Sequence, residues 1–156
     1  MNIMELTLKD AIEKAIEIEE EVSDFYREKM AKAAYPGSKK LLEYLVEQKQ
    51  DHIEFYKDYL NRTEELGAYC SMPLDFMDYK ISDNLKEQDI SGASRIQDIL
   101  IFAAKQEQRI HDYYMTLSAE YRDTEMGYIW ECFARESLIH KERFEKEYDE
   151  NILKEM

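Results

Sequence analysis

The 156-residue chain is rich in charged side chains and poor in residues that interrupt helices. Charged residues make up 36% of the sequence, whereas it contains only 4 Gly and 2 Pro, a composition typical of long amphipathic helices. The net charge of −14 argues against binding to nucleic-acid phosphates or an anionic membrane surface, because both require a basic face. No apolar run has the length of a transmembrane helix.

Two amphipathic helices are predicted in the first half of the chain. Apolar residues recur at helical spacing over about 8–34, with Thr7 as the predicted N-cap. The break at Pro36 ends this helix, and Ser38 is expected to cap a second helix over about 39–66. Such a short connection predicts that the two helices are antiparallel neighbours.

A long crossover and a third helix follow. The helical periodicity fails over about 67–94. Because an extended chain advances about 3.3 Å per residue and a helix only about 1.5 Å, a crossover of this size can run the full length of the bundle. The third helix is predicted over about 95–121, with Ser94 and Gln97 forming a capping box at its start.

A fourth helix completes the predicted fold. It is expected over about 124–150, with Asp123 or Thr124 as its N-cap. The four helices predict an all-α fold, an antiparallel four-helix bundle made of two helical hairpins joined by the long crossover. The whole chain, residues 1–156, is expected to form one domain.

The two halves of the sequence repeat each other at an offset of 88 residues. Between residues 10–54 and 98–142, nine positions are identical with no gap. The identical pairs are Asp10 and Asp98, Ala15 and Ala103, Glu19 and Glu107, Asp24 and Asp112, Tyr26 and Tyr114, Ala31 and Ala119, Glu43 and Glu131, His52 and His140, and Glu54 and Glu142. Each half is therefore predicted to be one hairpin, and the two to pack around a pseudo-twofold axis.

Four polar side chains, one on each predicted helix, lie within the apolar stripes. Glu19 and Glu107 lie on the inward faces of the first and third helices, and His52 and His140 on those of the second and fourth. A buried carboxylate is costly unless it is paired or bound to a cation. The sequence therefore predicts that a positive group compensates the two glutamates inside the bundle.

The segments that carry these residues resemble the ferritin-like superfamily, in its rubrerythrin-like branch. They are AIEIEEEVSDFY, LLEYLVEQKQDH, AAKQEQRIHDYY and CFARESLIHKERF, and they cover all four helices but neither the crossover nor the termini. In that family, a Glu from the first and third helices and a Glu-x-x-His from the second and fourth hold two iron or manganese ions. Glu19, His52, Glu107 and His140 match those positions.

The sequence departs from this family at both glutamates of the Glu-x-x-His pattern. Lys49 and Ser137 stand at those positions, which in the family bridge the two metal ions. One Glu and one His per metal are too few for a normal dinuclear site. The Lys49 ammonium is also expected to compete with metal for Glu19 and Glu107.

Other side chains are candidates to replace the missing ligands. Glu136 is the foremost, because it lies four residues before His140 and shares its helix face. Gln48 and Glu47 are further candidates, and so is His111, which follows Glu107 by four residues.

Two interpretations follow. In the first, the bundle holds a mononuclear or rearranged iron or manganese site, and the resemblance implies a peroxidase-like oxidoreductase or an iron-handling protein. In the second, it is a metal-free bundle for assembly or partner binding, in which Lys49 pairs with Glu19 and Glu107. Tyr26 and Tyr114 are expected to hydrogen-bond the ligand carboxylates, to lie near a redox centre, or to pack in the core with their hydroxyls satisfied.

Partners and location follow from the same features. Many rubrerythrins carry a four-cysteine iron domain that feeds electrons to the metals, and this chain has only 2 Cys, so a peroxidase would need an external electron donor. The resemblance implies a homodimer. The N-terminus MNIMELTLKD lacks the features of a signal peptide, which predicts a cytoplasmic protein. Cys70 and Cys132, in no metal-binding pattern, are expected to be free thiols.

Overall fold

Four α-helices account for most of the residues 8–61 and 89–151 that the computed structural model describes, and these residues contain no β-strand. The helices form a four-helix bundle, so the predicted all-α fold is confirmed. None of these helices combines the length and the apolar character needed to cross a membrane. The helices are α1 (Leu8–Ala31), α2 (Pro36–Leu60), α3 (Ile96–Glu120) and α4 (Glu125–Asn151).

The start of α2 differs from the prediction. The helix begins at Pro36 rather than after Ser38, because proline has a helix-compatible φ and lacks an N–H that the first turn would leave unpaired. Ser38 is therefore not the N-cap. Its buried hydroxyl instead donates a hydrogen bond of 2.7 Å to the carbonyl oxygen of Ser94, which ties the start of α2 to the segment that precedes α3.

The predicted capping box of α3 is also wrong. Instead of Ser94 and Gln97, the residues at the cap are Arg95 and Asp98, whose carboxylate accepts a hydrogen bond from the Arg95 backbone N–H at 3.5 Å. The Ser94 hydroxyl is already engaged by the backbone N–H of Ser91, at 2.8 Å. A serine committed to the preceding turn cannot also serve the first turn of the helix.

The predicted cap of α4 is confirmed for one of its two candidates. The hydroxyl oxygen of Thr124 accepts a hydrogen bond of 3.1 Å from the backbone N–H of Gly127, the third residue of the helix. Asp123 adopts a positive φ of 63° in the turn between α3 and α4, a conformation that its short polar side chain tolerates.

Several sequence predictions lie outside the described residues. These are the Thr7 cap and the crossover as far as residue 88. The predicted end of the second helix, at about 66, is wrong, because the helix ends at Leu60 and Asn61 lies in a turn. The last residues of the predicted crossover, 89–94, are described and are not helical, as predicted.

The expectation of free thiols is wrong for Cys132. This residue is buried in α4 and is disulfide-bonded. Cys70 lies outside the described residues. The sequence could not predict a bridge, because its formation depends on the distance between cysteines in the fold and not on their spacing along the chain.

The core consists of one apolar stripe from each helix. Most backbone contacts between helices lie within two pairs, α1 with α2 and α3 with α4. Aromatic rings fill much of the space, for example Phe25 stacked on Phe102 at 5.2 Å between centroids and Tyr114 stacked on Trp130 at 5.4 Å. Between these two aromatic groups, near the midpoints of the helices, the core becomes polar.

Candidate metal centre

A layer of charged and imidazole side chains crosses the bundle at the helix midpoints. Each member occurs at helical spacing within an otherwise apolar stripe, so forming the helices directs all of them toward the same interior region. Glu19, Lys49 and Glu107 are almost inaccessible, with 3%, 1% and 2% of their surfaces exposed. We call this layer the central cluster, and its members are Glu19 on α1, Lys49 and His52 on α2, Glu107 on α3, and Glu136 and His140 on α4.

Lys49 joins the two buried glutamates. Its ammonium donates a hydrogen bond to Oε1 of Glu107 at 2.6 Å and lies 3.1 Å from Oε2 of Glu19. The compensating positive group that the sequence predicts is thus supplied, at least in part, by the chain itself. Breaking such a buried pair is costly, because the remaining partner would be a charge without compensation in a medium of low polarity.

The three groups keep one another charged. Burial alone would raise the pKa of both glutamates, but the Lys49 ammonium together with the neighbouring histidine, His52 for Glu19 and His140 for Glu107, lowers both values, the pKa of Glu107 to about 2. Burial would likewise lower the pKa of Lys49, but the carboxylates of Glu107 and Glu19 raise it above its usual value. Two carboxylates therefore face one ammonium, and the group carries a net charge of about −1.

The two histidines bear the same relation to the two glutamates. Nδ1 of His52 lies 3.8 Å from Oε2 of Glu19, and Nδ1 of His140 lies 3.8 Å from Oε2 of Glu107. The rings stack on each other with 4.4 Å between their centroids. The two distances are equal, as expected from the 88-residue repeat, in which Glu19 corresponds to Glu107 and His52 to His140.

Glu136 joins the cluster from α4. Its Oε1 lies 3.6 Å from Nε2 of His52, and its Oε2 accepts a hydrogen bond of 3.4 Å from the hydroxyl of Tyr56. One ligand atom from each of His52, Glu136 and His140 lies within 4.8 Å of the other two. Burial would lower the pKa of His52, but Glu19 and Glu136 raise it.

Tyr56 is the residue of this region whose role the sequence did not reveal. It is buried on α2, where its spacing makes it part of the apolar stripe. The available signal was its position four residues after His52, which places it on the same helix face. An apolar stripe does not distinguish a tyrosine that only packs from one whose hydroxyl has a partner.

Three of the candidate residues lie outside the central cluster. The Ser137 hydroxyl donates to the carbonyl oxygen of Phe133 in its own helix, at 3.3 Å. On α3, Nδ1 of His111 lies 3.0 Å from Oδ1 of the neighbouring Asp112. Glu47 is exposed. Helical spacing alone could not predict where these side chains lie. It shows which residues share a helix face, but not whether that face is turned toward the centre of the bundle.

The two repeated tyrosines are both core residues. Tyr26 and Tyr114 are each 1% exposed, and their pKa values are raised by burial and by the nearby carboxylates of Glu19 and Glu107. The Tyr114 hydroxyl makes no hydrogen bond among the described residues. Oε1 of Gln48, another of the candidate ligands, is also buried without a hydrogen bond among the described residues.

The cluster does not fit a pair of metal ions. The Lys49 ammonium is within contact distance of Glu19 and Glu107, where a further cation would be repelled. A single ion fits the other side of the cluster. Two imidazoles and one carboxylate are a ligand set suited to a divalent transition metal, and Nε2 of His52 lies 3.6 Å from Oε1 of Glu136 on that side.

Comparisons of the chain with models of protein families, with curated proteins and with solved structures found no match. A functional assignment therefore depends on the residues and the geometry of the central cluster.

Proposed function

We propose that this chain is a rubrerythrin-related, ferritin-like protein that binds one divalent metal ion, iron or manganese, at the centre of its bundle. The observation that carries the proposal is the convergence of His52, Glu136 and His140 in a core with excess negative charge. The carboxylates of the central cluster number three and its ammonium groups one. With neutral imidazoles, one divalent ion would bring the net charge of the cluster to zero.

We also propose that the helices have the antiparallel, ferritin-like arrangement. The contacts within each pair run in opposite directions along the two helices. On α1 and α2, Ser23 accepts a hydrogen bond from Gln50, whereas Glu19, earlier on α1, contacts His52, later on α2. The corresponding contacts between α3 and α4 are Ser118 with Gly127 and Glu107 with His140. This pattern supports two antiparallel hairpins.

The role that fits such a site is an oxidoreductase or an iron-handling protein. A bound iron or manganese ion would supply one-electron redox chemistry or Lewis acidity. The residues of the chain would hold the ion by His52 and His140, restrain Glu136 through Tyr56, and keep most of the cluster away from bulk water. A peroxidase-like reaction would require an external electron donor.

Calorimetric titration of metal-depleted protein tests the proposal. We expect Mn²⁺, and Fe²⁺ without oxygen, to bind at one ion per chain. The variant His140→Ala should remove binding, because one of the two imidazoles is lost. His111→Ala is the matched control, since His111 lies outside the central cluster, and it should bind as the unmodified protein does. Absence of binding in the unmodified protein would contradict the proposal.

A second candidate function is a metal-free bundle for assembly or partner binding. The observation that favours it is the Lys49 ammonium, which already compensates part of the buried negative charge. This alternative predicts no heat of metal binding and no change in thermal stability when iron or manganese is added. The titration described above therefore discriminates between the two candidates.

A further inference from the structure

We propose that the metal ligands are His52, Glu136 and His140, and that Glu19 and Glu107 do not coordinate the ion because Lys49 holds them. This inference rests on the proposed function, since it specifies the ligands of the same centre. It moves the ion from the middle of the bundle to the side formed by α2 and α4. The glutamate it enlists, Glu136, stands one residue before the position at which the Glu-x-x-His pattern would have one.

The positions of the donor atoms support this ligand set. Glu136 and His140 are one helical turn apart on α4, and His52 faces them from α2. Their ligand atoms lie within 4.8 Å of one another. Metal–ligand bonds of about 2.1 Å require ligand atoms separated by no more than about twice that distance, so small rotations of the side chains would close the site.

Lys49 explains why the two buried glutamates stay out of the coordination shell. Oε1 of Glu107 and Oε2 of Glu19 both contact its ammonium, at 2.6 and 3.1 Å. If either of these two oxygens turned to an ion, the ammonium would lose a partner in a place where water cannot replace it. Glu136 instead contacts His52 and Tyr56.

Tyr56 is a positioning residue for this site. Its hydroxyl donates to Oε2 of Glu136, which directs Oε1 of the same carboxylate toward His52. A hydrogen bond to one carboxylate oxygen favours coordination through the other oxygen. With one oxygen and two imidazoles as protein ligands, the remaining coordination positions would be open to small exogenous molecules.

The test is Mn²⁺ binding by variants of the full chain, followed by calorimetry and by the electron paramagnetic resonance spectrum of the ion. We expect Glu136→Gln to weaken binding by about a hundredfold and Tyr56→Phe by about tenfold. Tyr56→Phe should also change the resonance spectrum, which a purely structural role would leave unaltered. Glu131→Gln is the matched control, because it neutralises an α4 carboxylate that pairs with Arg135 outside the cluster.

A second variant tests the ligand assignment without leaving one partner of a buried ion pair behind. Replacing Glu19 and Glu107 by Gln and Lys49 by Met removes the buried ion pairs as a set, which leaves no charge uncompensated. This triple variant should bind Mn²⁺ within about tenfold of the unmodified protein. Loss of binding in the triple variant, or full binding by Glu136→Gln, would overturn the ligand assignment. Absence of binding in the unmodified protein would instead contradict the proposed function.

Discussion

Lys49 is the residue that makes the polar interior compatible with folding. Two carboxylates in an apolar core would repel each other and would both lose their hydration. The ammonium between them, 1% exposed, satisfies both through short contacts. The histidines and Glu136 then adjoin a group in which one ammonium offsets one of the two carboxylate charges.

The variant Lys49→Met tests this role. It leaves Glu19 and Glu107 buried without their cation, so we expect the metal-free protein to lose about 3–5 kcal/mol of unfolding free energy, as when one partner of a buried pair is removed. Denaturant unfolding followed by circular dichroism measures the loss. Adding Glu19→Gln and Glu107→Gln to this variant should restore most of the stability. A single variant as stable as the unmodified protein would show that the ammonium is not needed.

The pKa of Glu107 gives a prediction for acid conditions. Burial would raise this pKa, but Lys49 and His140 lower it from 4.5 to about 2. Because the pKa in the folded state lies below that in the unfolded chain, the ionised carboxylate stabilises the fold above about pH 4.5, and this contribution is lost as the pH falls toward 2. The unfolding free energy of the metal-free protein should therefore fall over this range, and by less in Glu107→Gln. Equal slopes in both proteins would contradict the prediction.

Much of the candidate site could be predicted from the sequence. Helical spacing puts Glu19 and Glu107 on apolar faces, and both are buried. The proximity of Glu136 to His140 follows from their separation of one turn. The direction of the His111 side chain and the hydrogen bond of Tyr56 could not be predicted, because they depend on the rotation of each helix about its axis and on a contact between helices.

At the scale of the helices, their termini were harder to predict than their existence. Apolar periodicity over about 25 residues identifies each helix, whereas a boundary depends on a few local hydrogen bonds. Ser38 and Ser94 both have the residue type of an N-cap. Their hydroxyls serve other partners in the structure, and only the contacts between segments decide between these uses.

Gly127 provides a prediction for the junction between α3 and α4. A Cβ on this residue would overlap the carbonyl oxygen of Tyr121 and lie 3.2 Å from that of Ser118. We expect Gly127→Ala to lower the unfolding free energy by about 1–2 kcal/mol, because forced overlap outweighs the better helix propensity of alanine. Thermal unfolding measures the change.

Gly37→Ala is the control for this prediction. Among the described residues, a Cβ on Gly37 would meet the side chain of Ile96, with Cδ1 at 2.9 Å and Cγ1 at 3.7 Å, and the end of a flexible side chain can move away. Its effect should stay within about 0.5 kcal/mol. If Gly37→Ala proved the more damaging of the two, the close backbone approach at Gly127 would not be what fixes the turn.

At the scale of the whole molecule, periodicity and the internal repeat predict the four helices, and hence the bundle. They do not define how the two halves are rotated relative to each other, and the geometry of the central cluster depends on that rotation. Homodimerisation, an external electron donor and a cytoplasmic location are features of the assembled protein and its surroundings, and they stay predictions.

The number of metal ions per chain tests the central claim most directly. Native mass spectrometry of the intact protein, after loading with manganese or with iron in the absence of oxygen and removal of excess metal, counts the ions that each chain retains. The account predicts one ion, because Lys49 excludes a second from the side of Glu19 and Glu107. Two ions per chain, or none with either metal, would contradict it.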